Sequence, residues 1–218
     1  ARLLYSTAVI GVNYMYKVIL AGGMASGKST VSKMFEAAGG LRFDLDEVSR
    51  KLLRPGCECT YRVAEAFGND LLDPVTHEIN RRELGRRAFA TSESAELLED
   101  LEMPFIREYM RQFLTKEAPC ADAQFCFVEV PLLDRVEDLL ELVDEVVVVV
   151  APLELRAERA EQRGSSRQEF EQRIAHQPSD TYLRNQADTV FVNSEGLDDL
   201  KAQVELWLNA RFNQHSEQ

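Results

Sequence analysis

The 218-residue chain is poor in soft metal ligands, in positive charge and in long apolar runs. Its three histidines, His77, His176 and His215, are scattered, and its four cysteines are Cys57, Cys59, Cys120 and Cys126. One residue separates Cys57 from Cys59, which is tighter than zinc-binding cysteine pairs are spaced. A metal cage built from Cys and His is therefore not expected. Cys126 alternates within "FCFVEV" as a buried strand thiol does, and with no secretory features, reduced cysteines in a cytoplasmic protein are expected.

Lysine and arginine total 25 against 37 acidic residues, a net charge of −12. A chain of that charge repels nucleic-acid phosphates, so no nucleic-acid partner is expected. A small anionic ligand on a local arginine cluster stays open. The longest apolar run, "VDEVVVVVAPL", is too short to cross a bilayer, and its valines suit a strand buried on both faces. No membrane association is expected. Residues 1–15 carry only Arg2 as a positive head, so they read as an N-terminal extension rather than a signal peptide.

Strand and helix patterns alternate through most of the chain. "YKVILA", "LRFDL", "AQFCFVEV", "DEVVVVV" and "DTVFVN" read as five strands. Between the second and third lies a long run of helical period, "CTYRVAEAFGNDLL", "NRRELGRRAFA" and "SESAELLEDLEMPFIREYMRQFLTKEA". Ser92 resembles a helix cap there, and Pro104 predicts a kink or break. Strands separated by helices imply a parallel sheet with helices on both faces. The expected fold is α/β, three-layered, with a five-stranded parallel sheet. The domain core is expected over 16–53 and 120–218, with an inserted helical subdomain over about 54–119. In such a sheet the ligand site lies at the carboxyl ends of the strands.

Chemistry concentrates in "AGGMASGKST". Gly22, Gly27, Lys28 and Ser29 fit Gly-x-x-x-x-Gly-Lys-Ser/Thr, with a strand before and a helix after. Glycines let backbone N–H groups turn toward phosphate oxygens, and a helix N-terminus adds partial positive charge. Residues Gly22, Gly23, Met24, Ala25, Ser26, Gly27, Lys28, Ser29 and Thr30 are thus candidates to bind a nucleotide's phosphates. Lys28 would bridge the outer phosphates and Ser29 would ligate Mg²⁺.

Asp44 and Asp46, read at the end of the second strand, would point to one side. One would accept a proton from a substrate hydroxyl, and the other would hold Mg²⁺ through water. The competing reading is that Asp46 caps a helix starting at Glu47. Arg156, Arg159 and Arg163 recur at helical spacing, with Arg167 and Arg173 beyond. They suit a mobile segment that clamps transferring phosphate, but interleaved Glu154, Glu158 and Glu161 make a solvated face the preferred reading of the stripe alone. Glu129, at the end of the third strand, is either a metal-water ligand or a buried structural carboxylate. The Asn-Lys-x-Asp guanine signature is absent.

In order and spacing these residues resemble the dephospho-coenzyme A kinase family over about 17–208. "GGMASGKST" is similar to its phosphate loop, with Ala25 at the third residue of the family's Gly-x-Gly-Ser pattern. Asp44-Leu45-Asp46 with Arg50 resembles its Asp-Ala-Asp signature, "INRRELGRRAF" its Asp-Arg segment, "VPLLD" its Pro-Leu-Leu segment, and "VFVNSEG" its closing strand. Met103 stands where a histidine is usual, and Arg156 where glutamine is usual. The resemblance implies transfer of the ATP γ-phosphate to the ribose 3′-hydroxyl of dephospho-CoA. It implies Asp46 as general base, with Lys28 and Arg159 also catalytic. Asp44, Arg50, Arg81, Arg107, Pro131, Leu132 and Leu133 would meet the acceptor. Arg159 and Arg163, from a lid over about 156–178, would close on the phosphates of ATP, and Asn193 would meet its adenine. ATP and Mg²⁺ are the cofactors implied, in a monomer or weak oligomer. The alternatives at this stage are another small-molecule kinase of the same fold and an ATP-binding module without turnover.

Overall fold

A computed structural model describes residues 14–115 and 123–212. Cys120, His215 and most of the N-terminal extension fall outside the described residues. The valine-rich and alternating runs form five strands: β1 (Tyr16–Gly22), β2 (Leu41–Phe43), β3 (Phe125–Val130), β4 (Glu145–Val150) and β5 (Thr189–Val192). All pair in parallel, in the order β2-β3-β1-β4-β5. The α/β fold with a five-stranded parallel sheet is therefore the one adopted.

The chain forms two compact units, one made of the segments up to 43 and from 114 onward, the other of residues 44–113. In the first, helices α1 (Lys28–Ala37) and α9 (Leu197–Phe212) pack on one sheet face. Val18, Leu20, Phe125, Phe127, Val147 and Val149 alternate onto that face and meet Val31, Phe35, Val204 and Trp207. The Phe35 and Trp207 rings stack at 4.7 Å. At the amino-terminal edge of the strands, buried Glu145 accepts hydrogen bonds from Tyr16 Oη, Thr189 Oγ1, Trp207 Nε1 and Arg211. These bonds tie α9 to the base of the sheet.

The second unit holds α2 (Leu45–Leu52), α3 (Glu58–Phe67), α4 (Arg81–Ala88) and most of α5 (Ser92–Thr115). The contact boundary falls at 44, earlier than the expected 54, because α2 packs on α3. Thr60 Oγ1 donates to the carbonyls of Leu52 and Arg54, closing the turn between them.

Several local expectations are corrected. The second strand ends at Phe43, so Asp44 and Asp46 do not share a strand face. Asp44 instead is the N-cap of α2, its carboxylate accepting the Glu47 N–H at 3.0 Å. Asp46 is not the cap, since it lies within the first turn of that helix. The start of α5 is held by Thr91, whose hydroxyl accepts the Ser94 N–H, rather than by Ser92. The helix runs on through Pro104, which removes one donor and leaves the turns on either side intact. Two elements were not foreseen: α8 (Asp180–Gln186), and a run of 3-10 turns over Leu133–Leu142 with a break at Val136. Helices α6 (Leu153–Gln162) and α7 (Arg167–Ala175) match the expected arginine-bearing segment.

Candidate active site

β1 ends in the glycine loop, and α1 begins at Lys28 immediately after it. Gly27 adopts φ 108, and a Cβ there would stand 2.3 Å from Asn193 Nδ2. Only glycine fits both constraints. Ala25 also lies in the left-handed region, at φ 59, where an L side chain is disfavoured. The loop is thus drawn so tightly that even a non-glycine residue is held in an uncommon conformation.

Lys28 Nζ donates to the Val130 carbonyl at 3.2 Å and lies 3.9 Å from Glu129 Oε1. Burial holds its pKa below the ordinary lysine value; nearby Arg42 pushes the same way, and Glu129 opposes. Ser29 Oγ donates to Glu129 Oε1 at 3.3 Å, and Arg42 pairs with Glu129 Oε2 at 3.1 Å. One carboxylate at the carboxyl end of β3 therefore gathers the loop's lysine, its serine and an outer arginine. Glu129 thus stands beside Ser29 with both of its oxygens met by protein donors, which fits either reading of it.

Asn193, at the end of β5, is buried and donates through Nδ2 to the Ser26 carbonyl at 2.8 Å. Its Oδ1 accepts from Arg159 Nη2 at 3.1 Å. Burial, then Arg163, lowers the pKa of Arg159. Among the described residues, Ser26 Oγ, Arg159 Nη1 and, further along α1, Ser32 Oγ are buried without a protein partner. An unmet buried donor costs free energy unless a ligand meets it.

The arginine stripe divides between the two readings open to it. Arg156 is buried, 6% exposed, and Arg159 is half-buried beside Asn193. Arg167 lies on the surface, paired with Glu154 and Glu171, so the solvated reading holds for it. Sequence reasoning missed the contact Arg156 makes with the loop, although fully buried Ala157 and Ala160 beside it mark the inward face of α6.

Within the helical unit, Arg81 Nη2 donates to the Arg50 carbonyl at 2.6 Å, which brings two of the expected acceptor-side arginines together. Glu102, buried on α5, accepts from Ser49 Oγ at 3.0 Å, and burial raises its pKa. In the "VPLL" segment Leu133 is fully buried, so only Pro131 and Leu132 present surface to a ligand. Among the described residues no group of three or more His, Cys, Asp or Glu is placed to hold a metal ion, and no helix is long and apolar enough to cross a membrane.

A family model described as dephospho-CoA kinase matches residues 16–199. A dephospho-CoA kinase from Corynebacterium diphtheriae is 37% identical over 193 residues, covering 86% of this chain and 94% of that protein. One from Enterococcus faecalis is 33% identical over 201 residues, covering 91% and 98%. Among solved structures, a Thermus thermophilus protein superposes with TM-score 0.64 at 26% identity, covering 90% of this chain and 98% of its own. The Acinetobacter baumannii shikimate kinase shares the fold, with TM-score 0.51 at 14% identity and coverage of 93% and 96%. With the family match running from the start of β1 into α9, the chain belongs to the dephospho-CoA kinase family.

Proposed function

We propose that this protein transfers the γ-phosphate of ATP to the ribose 3′-hydroxyl of dephospho-CoA, giving CoA and ADP. The observation that supports it most is the surplus of donors around the glycine loop, in a chain of this family. Ser26 Oγ and Arg159 Nη1, buried without a protein partner, together with Lys28 at the start of α1, suit a polyphosphate, whose oxygens accept from all three. Residues 22–30 cradle the phosphate chain, Arg159 of α6 and Arg163 at its end approach it, and Asn193, both of whose amide atoms are taken by Ser26 and Arg159, holds that arginine against the loop rather than meeting adenine.

Mg²⁺, when bound with the nucleotide, spreads the charge that develops on the phosphates. Ser29 Oγ is the residue to hold it. Glu129 is the better placed carboxylate behind it, since Asp44 already caps α2. Asp46 accepts the proton of the acceptor hydroxyl as its oxygen bonds to the γ-phosphorus and ADP leaves. Arg50, Arg81 and Arg107 bind the acceptor's anionic groups, with Pro131 and Leu132 at its border. The enzyme works in the cytoplasm as a monomer or weak oligomer.

Coupled ADP release tests the reading with dephospho-CoA, with nucleosides and without acceptor. Release is expected to accelerate with dephospho-CoA alone. Equal release in all three arms rejects it. The Asp46→Asn variant is expected to bind ATP normally and lose about 10³-fold in kcat, the range of a general base. Near-normal turnover removes Asp46 from that role.

A further inference from the structure

Among the described residues, Arg156 is a buried cation of the sheet-bearing unit that the proposed phosphate chemistry does not use. Its guanidinium is buried where α6 passes the glycine loop, and its exposure is 6%. Nε donates to the Met24 carbonyl at 2.8 Å, and Nη1 pairs with Asp180 at the start of α8, at 3.1 Å. The other end of the same Met24 residue is also held, its N–H donating to Gln177 Oε1 at 2.8 Å. Both polar groups of Met24 are thus taken by side chains from the segment around α7. Phe170 of α7 packs with Ala157 and Ala160, against Met24 and Ala25.

Gly23 has a second role in this arrangement. A Cβ on Gly23 would stand 2.2 Å from Arg156 Nη2, so the glycine leaves room for the arginine. Burial lowers the pKa of the guanidinium, and Asp180 offsets part of that cost. A buried arginine carries a desolvation penalty that a neutral side chain would avoid. Met24 immediately precedes Ala25, the residue held at φ 59.

We propose that Arg156 is a positioning residue: it fixes the Met24 carbonyl and thereby holds the loop in its phosphate-accepting shape, with Asp180 as its support and Gln177 holding the Met24 N–H beside it. The inference rests on the kinase reading above for what the loop receives. It makes the segment from α6 to α8 part of the phosphate site's frame, through backbone contacts at the loop's apex. Losing this hold loosens the loop before nucleotide arrives, so that binding of the phosphates must reorder it.

The test compares Arg156→Ala, Arg156→Lys, Asp180→Ala and Gly23→Ala, with Arg167→Ala as a surface control on α7. Hydrogen–deuterium exchange of peptides covering 22–27 is measured without ligand, and affinities for ATP and for adenosine by calorimetry. Arg156→Ala and Gly23→Ala are expected to speed exchange in 22–27 at least tenfold while β1 and β3 stay protected. ATP affinity should fall about tenfold or more, with adenosine affinity and the KM for acceptor changing less than about twofold. Arg156→Lys should restore part of the loss, Asp180→Ala should show a smaller loss in the same direction, and Arg167→Ala should show none. Unchanged exchange in 22–27, or equal losses for ATP and adenosine, overturns the proposal. Should Arg156→Ala fail to fold, Asp180→Ala and Arg156→Lys decide by the same two measurements. A wild-type protein that binds ATP but shows no acceptor-dependent ADP release counts against the kinase reading and leaves the Met24 hold measurable.

Discussion

The two ends of the sheet carry polar clusters of opposite character. At the amino-terminal end, the Glu145 carboxylate is surrounded by donors that it satisfies, from Tyr16, Thr189, Trp207 and Arg211, while the Arg211 guanidinium lies 4.7 Å over the Trp207 ring. At the carboxyl-terminal end, Lys28, Arg159 and Ser26 crowd donors together, and buried Ser26 Oγ and Arg159 Nη1 find no protein acceptor. A closed set of partners fixes one structure. A surplus of one kind is a demand for a ligand of the other kind. The first cluster holds α9 on the sheet, and the second leaves buried donors unmet by the protein.

The comparison is broken most sharply at Lys28. Lys28→Ala is expected to lower kcat by about 10³-fold through lost charge stabilisation, with no fall in melting temperature. Steady-state kinetics and thermal unfolding on one preparation check both halves. A large loss of stability alongside would place Lys28 with the structural cluster. Glu145→Ala should behave in the reverse way, costing about 3 kcal/mol because it strands Arg211 and the Trp207 N–H. Denaturant titration reads that loss, and activity per folded molecule should stay within about twofold of wild type.

A smaller effect concerns pH. Burial lowers the pKa of Lys28, so charged Lys28 weighs against the folded state. That penalty is complete below its folded pKa. It fades as pH rises through that value toward the unfolded one, where the unfolded chain binds more protons. Lys28→Met should therefore be more stable than wild type by about 1 kcal/mol at neutral pH. The advantage should shrink under alkaline conditions, as urea titration across pH can show; a constant difference would contradict the sign. The smallest effect belongs to Ala25→Gly. Relief of about 1 kcal/mol of left-handed strain is opposed by about 0.5–1 kcal/mol of added unfolded-state entropy. The net change should be within about 0.5 kcal/mol, well below the change for Glu145.

What was legible in the sequence was whatever repeats or punctuates. Strand alternation, helical period and the glycine loop gave the parallel sheet and the position of Lys28. Contacts between distant segments were not legible. Nothing in the period of "LRAERAEQR" separates Arg156, which turns onto the loop, from Arg163, which lies exposed at the end of α6. The pattern "LRFDL" runs two residues past the end of β2, because Asp44 ends the strand by capping α2 and Asx capping competes with strand continuation. The short α8 was hidden behind Pro178, although Ser179 followed by Asp180 is a cap signal.

The parallel pairing of β2 with β3 places Phe43 beside Val128, with the whole helical unit threaded between them in the chain. Such a pair forms only after a long loop has closed, at an entropic cost that grows with the logarithm of loop length. β2 has three residues and, among the described residues, a single strand neighbour, so it gains little on its own from docking. If residues 44–113 fold first, the loop that remains to be closed is effectively short. The order of folding is then expected to run from the helical unit to β2, and a destabilising change inside α3 should slow completion of a sheet it does not belong to.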